Sequence, residues 1–184
     1  MNLEEVTKVY EEELVMDFPE DEVKPLKKII KLINEGTYVA WGFYDEERLL
    51  AYAWICTPKN GKLILLDYFS VCRGKRGRGY GSRFLRMLRH FYEDKAGIIL
   101  EAEDVAYAPD REQEQVRISR IHFYEKNGLR IANVKEQAFG VDYTVLVYDC
   151  KEESTDEQVK EGLETVYHTF LSDASYEKNV KISL

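Results

Sequence analysis

The chain has 184 residues, 45% of them hydrophobic, and a formal net charge of −8. That length holds one domain, or one domain with an appendage, and that apolar content builds an ordinary core, which excludes a disordered chain. The acidity excludes a general nucleic-acid binder, and no apolar run approaches the roughly 18 residues of a membrane span.

From the N-terminus, Leu3, Val6, Val9, Tyr10 and Leu14 recur at helical spacing and predict a helix over 3–16, broken at Asp17-Phe18-Pro19. Val23, Leu26, Ile29, Ile30 and Ile33 predict a second helix over 23–34, ended by Gly36. The character then changes to aromatic and β-branched residues. Strands are predicted over 37–44, 49–57 and 62–71, the last two joined by the turn Pro58-Lys59-Asn60-Gly61. They read as an antiparallel meander. A Gly/Arg-rich loop follows, then a helix over 79–95 with Phe84, Leu85, Leu88, Phe91 and Tyr92 on its apolar face. The strand predicted over 97–103 completes a strand–helix–strand unit, so it is expected to lie parallel to 62–71. Residues 104–114 read as a polar loop, 115–127 as a helix ended by Gly128, and 129–135 with 141–150 as a closing strand pair. The domain is expected to span 1–150. Residues 151–184 read as an appendage packed on the same domain or, in a homodimer, on a partner. It contains a helix carrying Val159, Leu163, Val166, Tyr167 and Phe170, and a short strand over 179–184.

Four of the chain's 11 glycines fall in the stretch Gly74-Lys-Arg-Gly77-Arg-Gly79-Tyr-Gly81, between a strand and a helix. Glycines let the backbone curl close to a ligand, and the first N–H groups of the helix then point at one place with the helix dipole behind them. The seven Lys/Arg of residues 73–90, with no acid among them, add positive charge. This is a site for a phosphate or pyrophosphate. A Walker A loop would need Lys where Tyr80 stands, and a dinucleotide fingerprint would need Gly where Ser82 stands. Both nucleotide readings fail on spacing.

Arg76-Gly77-Arg78-Gly79-Tyr80-Gly81 resembles the Arg/Gln-x-x-Gly-x-Gly/Ala signature of GNAT acetyltransferases. His122-Phe-Tyr-Glu-Lys-Asn-Gly128-Leu129 resembles that family's Phe-Tyr-x-x-x-Gly-Phe segment, and the two motifs stand in family order. The resemblance covers roughly residues 37–149. It implies a mixed α/β fold with a central, mostly antiparallel sheet flanked by helices, and an enzyme that moves an acetyl group from acetyl-CoA to a primary amine by direct attack in a ternary complex. It implies that the CoA pyrophosphate binds Arg76, Gly77, Arg78, Gly79, Tyr80 and Gly81, with Ser82 nearby. The pantetheine arm would run along Phe69, Ser70 and Val71. It also implies that Tyr124 meets the departing sulfur and that Glu101, or Glu103 two residues on, takes the amine proton. Asp67, a lone acid in an apolar strand, is a third candidate base. No metal is implied.

Several positions depart from the pattern. Leu129 replaces the family's Phe, and Arg117 stands where many members carry Asn. The loop 104–114 is long. The family's first strand is not evident, and residues 179–184 are one source for it, in the same chain or a partner's. The acceptor pocket is expected near Phe18-Pro19, the first helices and the loop 139–143, and the acidity favours a cationic small-molecule or peptide amine. Cys56, Cys72 and Cys150 make neither a disulfide framework nor a zinc site. The N-terminus lacks a secretory signal pattern, so the expected compartment is the cytoplasm. A non-catalytic acyl-CoA sensor on the same fold is the alternative function.

Overall fold

Alternating apolar residues and tight polar turns make the first half of the sheet. The structure, a computed structural model, describes residues 1–20 and 22–184. Strands β1 (Tyr38–Asp45), β2 (Arg48–Cys56) and β3 (Leu63–Val71) form an antiparallel meander, each within one residue of the predicted range. The β2–β3 register passes from Trp54↔Tyr68 to Ile55↔Leu66, which leaves Asp67 as an extra residue. Such a bulge bends the strand and re-aims its side chains.

Helix α4 (Tyr80–Phe91) crosses over to β4 (Gly97–Glu103), which pairs with β3 in parallel. Strands β5 (Arg130–Ala138) and β6 (Val141–Asp149) form a hairpin, with β6 inserted beside β4. The short β7 (Val180–Ser183) adds to the outer side of β5. Among the described residues the resulting seven-stranded sheet has the order β1-β2-β3-β4-β6-β5-β7, and its one parallel pair is β3 with β4. The terminal strand therefore forms within the same chain, at the edge opposite β1. It does not supply a strand ahead of β1, and the Met1 ammonium donates to the Ala40 carbonyl of β1 at 2.9 Å.

The first helix runs as α1 (Leu3–Val9), a π-helical turn over Tyr10–Leu14 and a last turn, α2 (Val15–Asp17). Its start is fixed by a reciprocal cap between Asn2 and Glu5. The second helix, α3 (Leu26–Asn34), is shorter than expected, because Pro25 takes the N-cap in extended geometry and leaves 23–25 outside. Helix α5 (Arg111–Lys126) starts four residues earlier than predicted, since the Asp110 carboxylate caps it by accepting from Gln113 N–H at 2.8 Å. After β6, Thr155 and Gln158 cap α6 (Asp156–Phe170), and a helix the sequence pattern did not reveal, α7 (Asp173–Asn179), leads into β7.

Inward-facing residues sort into two cores, one on each face of the sheet. Trp54, Leu65, Ile99 and Val145 face α1, α3 and α6 through Val6, Ile29 and Leu163. On the other face, Ile55, Ile64, Leu100 and Leu146 meet Phe84 and Leu85 of α4 and Ile121 and Tyr124 of α5. The seven-stranded mixed α/β architecture is the one the sequence resemblance implied.

Candidate functional site

The glycine-rich loop ends where Gly79, at φ +78°, becomes the N-cap of α4 with no side chain capping it. The first N–H groups of α4 (at Tyr80, Gly81 and Ser82) therefore lack a side-chain acceptor, as an anion site at a helix start requires. Gly81 is needed for a second reason. A Cβ there would meet the Phe123 ring at 3.0 Å and the Val71 side chain at 3.2 Å. The glycine motif thus packs directly on β3 and on α5, next to Tyr124. Phe69 completes the contact, with its ring 6.5 Å from Phe123 and 5.9 Å from Phe84. Arg76 braces the loop: its Nε donates to the Val71 carbonyl at 3.1 Å and its Nη2 to Asp17 at 3.0 Å. Arg73 likewise donates to the Met16 carbonyl, while Arg78 is exposed.

Beside this loop the sheet opens. The parallel β3–β4 register runs through Leu63↔Gly97, Ile64↔Ile98 and Leu65↔Ile99 and stops there. Past that point β3 stays paired to β2 through Val71, and β4 to β6 through Glu103. The facing edges of 66–71 and 100–103 diverge, leaving a slot for an extended chain with backbone polar groups on both walls. Ser70 is buried on the β3 wall, and Phe69 and Val71 are half-buried.

The predicted catalytic residues stand on opposite faces of this opening. Tyr124 is 6% exposed in the α4–α5 core, and burial pushes its phenol up to about 12, Arg120 opposing. Leu100 and Ala102 of β4 share that core, so their alternates Glu101 and Glu103 turn the other way. Glu101 accepts from the Tyr167 hydroxyl of α6 at 2.8 Å. Glu103 is held by two guanidiniums, Arg117 and Arg120, and Arg117 also donates to the Asp104 carbonyl at 2.7 Å. The Arg found in place of the family's usual Asn is thus a buried clamp on Glu103.

A cavity of about 310 Å³ is lined by Asp67 and Tyr68 of β3 and by Glu101 and Glu103 of β4; Tyr124 and the glycine loop are not among its walls. Phe18, Tyr68, Tyr143, Tyr167 and Phe170 give its aromatic walls, Arg120 of α5 closes one side, and Phe139 lies at the rim. Pro19 is not among its walls. Its charges are largely matched. Asp67, turned by the bulge, accepts from Lys24 Nζ at 2.8 Å through both oxygens and from the Tyr38 hydroxyl. Lys24 also lies 5.3 Å from the Tyr68 ring centre and 4.7 Å from that of Phe170. Burial alone would lower the Lys24 ammonium, but the Asp67 carboxylate outweighs it and the net movement is upward.

One acidic residue escaped the sequence reading. Glu136 on β5 is 4% exposed, and among the described residues the donor within its reach is the Tyr167 hydroxyl, which is already given to Glu101. It lies in the inward row Ala132, Val134, Glu136, Ala138, so strand alternation was the signal that pointed to it. Its carboxyl interacts with that of Glu101 across β6 and with the Tyr167 hydroxyl. Burial and then the Glu101 charge push Glu136 well up; burial also raises Glu101.

The profile of the acetyltransferase (GNAT) family matches residues 3–129. A comparison with curated proteins returns no match. Among solved structures, a GNAT-family protein from Bacteroides thetaiotaomicron superposes with a TM-score of 0.73 at 22% identity, over 92% of this chain and 94% of its own. The ribosomal-protein-S18-alanine N-acetyltransferase from Escherichia coli gives 0.61 at 16% identity, over 84% and 93%. The spermidine N-acetyltransferase from Vibrio cholerae, solved with CoA and spermine, gives 0.57 at 9% identity, over 80% and 89%. At such identities the structural likeness is one of fold.

Proposed function

The chain belongs to the GNAT acetyltransferase family, and from that premise we propose that it transfers an acetyl group from acetyl-CoA directly to a primary amine held in the cavity beside β4. The observation that carries this reading is the early end of the β3–β4 register, which opens a slot between the uncapped start of α4 and that cavity. In this reading residues 1–150 form the transferase domain, and 151–184 contribute an acceptor wall through Tyr167 and Phe170.

The donor diphosphate sits on the N–H groups of Tyr80, Gly81 and Ser82, with Arg78 and the free side of Arg76 adding charge and Gly77 and Gly79 shaping the turn. The pantetheine arm follows the open edge of Phe69, Ser70 and Val71 as a peptide-like strand. Backbone N–H groups of that edge stabilise the oxyanion that forms when the amine attacks the thioester carbon.

The amine arrives as an ammonium and must lose a proton first. Glu101 is the base this site supports best. It lines the cavity, and its hydrogen bond comes from a neutral phenol. Glu103 is saturated by two guanidiniums and Asp67 by an ammonium, so neither has a lone pair as free. Tyr124 serves the leaving sulfur. Its phenol lies at about 12 and a thiol near 8.5, so handing over the proton outright is uphill by roughly 5 kcal/mol. Tyr124 therefore acts by hydrogen-bonding the sulfur as its charge develops, and the thiolate is neutralised on release.

The test is release of free thiol from acetyl-CoA on offering a panel of polyamines, aminoglycosides, lysine and peptides with free N-termini. Turnover with one amine class is the expected result. Tight acetyl-CoA binding with no thiol release across the panel would instead favour a sensor.

A further inference from the structure

Glu136 has no part in the chemistry just described, yet it is among the most deeply buried acids of the fold. It faces the inner surface of α6 from β5, across β6 from Glu101. Tyr167 has one hydroxyl proton and gives it to Glu101. No other donor reaches the Glu136 oxygens among the described residues. Two ionised carboxylates can only accept, so their contact becomes a hydrogen bond only when one of them carries a proton. Building on Glu101 as the base, we infer that Glu101 and Glu136 are a carboxyl dyad sharing one proton, with Glu136 the positioning residue that sets the pH at which Glu101 works.

The proton balance is as follows. At rest Glu136 is protonated and donates to the Glu101 carboxylate, while Tyr167 donates from the other side. The acceptor ammonium gives one proton to Glu101 and its nitrogen attacks the thioester carbon; as the tetrahedral intermediate collapses and the C–S bond breaks, the second N–H proton passes to the departing sulfur, which leaves as the CoA thiol. The dyad is then doubly protonated and neutral, and Glu101 returns one proton to water through the cavity. Burial favours the neutral pair, which makes Glu101 a stronger base than an exposed carboxylate. The other charges facing the pair are already committed: Asp67 to Lys24, Glu103 to Arg117 and Arg120, and Glu164 to Lys160. Tyr143 of β6 and Tyr176 of α7 complete the surroundings as neutral phenols, and burial raises both.

Difference infrared spectroscopy of the full chain without substrate tests the dyad directly. Wild type is expected to show a protonated-carboxyl band at pH 7 that is lost in E136Q and shifted in frequency in E101Q, where Glu136 keeps its proton but loses its carboxylate acceptor. A wild-type spectrum lacking the band, a band that survives E136Q, or a band left unshifted by E101Q overturns the proposal. Kinetics test the role. Gln at 136 keeps the volume and a donor but replaces an O–H···O⁻ bond by a weaker N–H···O⁻ one. The acid limb of kcat/KM should move to higher pH by about one unit, a tenfold loss at acidic pH, with KM for acetyl-CoA unchanged. An unmoved limb overturns the role even if E136Q melts lower. If E136Q fails to fold, the wild-type and E101Q spectra still decide. Absence of thiol release in wild type would refute the transferase reading, and the infrared band would still decide the dyad.

Discussion

Removing the carboxylate of Asp67 separates the structural from the catalytic acids. The side chains of Lys24 and Asp67 are 18% and 8% exposed, and they meet at 2.8 Å. D67N strands the Lys24 ammonium between two aromatic rings, while the Asn oxygen still accepts from Tyr38. Breaking a buried pair costs 3–5 kcal/mol; the adjoining cavity admits water, so about 3 kcal/mol is expected. K24M, which strands the Asp67 carboxylate instead, should cost about the same. The double variant K24M/D67N leaves no unpaired charge and loses mainly the cation–π contacts, about 1 kcal/mol. The assay is urea unfolding of the four proteins with the slope unchanged, closed as a double-mutant cycle. A double variant destabilised by about 6 kcal/mol, the plain sum, would refute the buried-pair account. The same double variant should keep its thiol release. Loss of turnover at wild-type stability would make Asp67 the base and displace Glu101.

Y124F should lower kcat by about 100-fold while leaving KM for acetyl-CoA within threefold, and equal loss in both would reduce Tyr124 to a packing residue. G79A puts a Cβ on a residue at φ +78°, which costs about 1–2 kcal/mol. Its melting temperature should fall by about 2–8 °C and its acetyl-CoA affinity should drop in calorimetry, whereas unchanged affinity would argue against the anion cradle. The raised Glu136 carboxyl also predicts a pH effect on folding. Its proton is bound more tightly in the native chain than in the unfolded one, so its contribution is fully favourable below the ordinary glutamate value and declines as pH rises toward the raised one. E136Q should therefore match wild type near pH 4 and be the more stable protein at pH 8 in thermal melts; the opposite order would mean that Glu136 is ionised in the fold.

What could be read from the sequence was what repeats locally. Strands β1 to β4 announce themselves through alternation and turn residues, and the two motifs at 76–81 and 122–129 predicted neighbours that the structure brings into contact through Gly81 and Phe123. The start of α5 was missed because 111–114 is wholly polar and its signal is a single capping Asp110. Lys24 read as part of an amphipathic helix, since nothing local reveals that Pro25 begins it late and leaves the ammonium to seek Asp67, 43 residues on. Arg117 was visible as a departure, but its partner is 14 residues away on another element. Glu136 and Glu101 meet across an intervening strand that comes later than both, and no sequence period spans that order.

The position of α6 and β7 in the chain sets an order of birth for the enzyme. Every element given to the donor side, from β3 through α5, leaves the ribosome before Tyr167 and Phe170 exist. On the proposed reading, a nascent chain folding from its N-terminus can thus complete its thioester cradle while its acceptor chamber still lacks a wall. In that reading translation itself delays commitment: the young molecule gains a grip on the donor first, and a confined place for the amine only once α6 has followed.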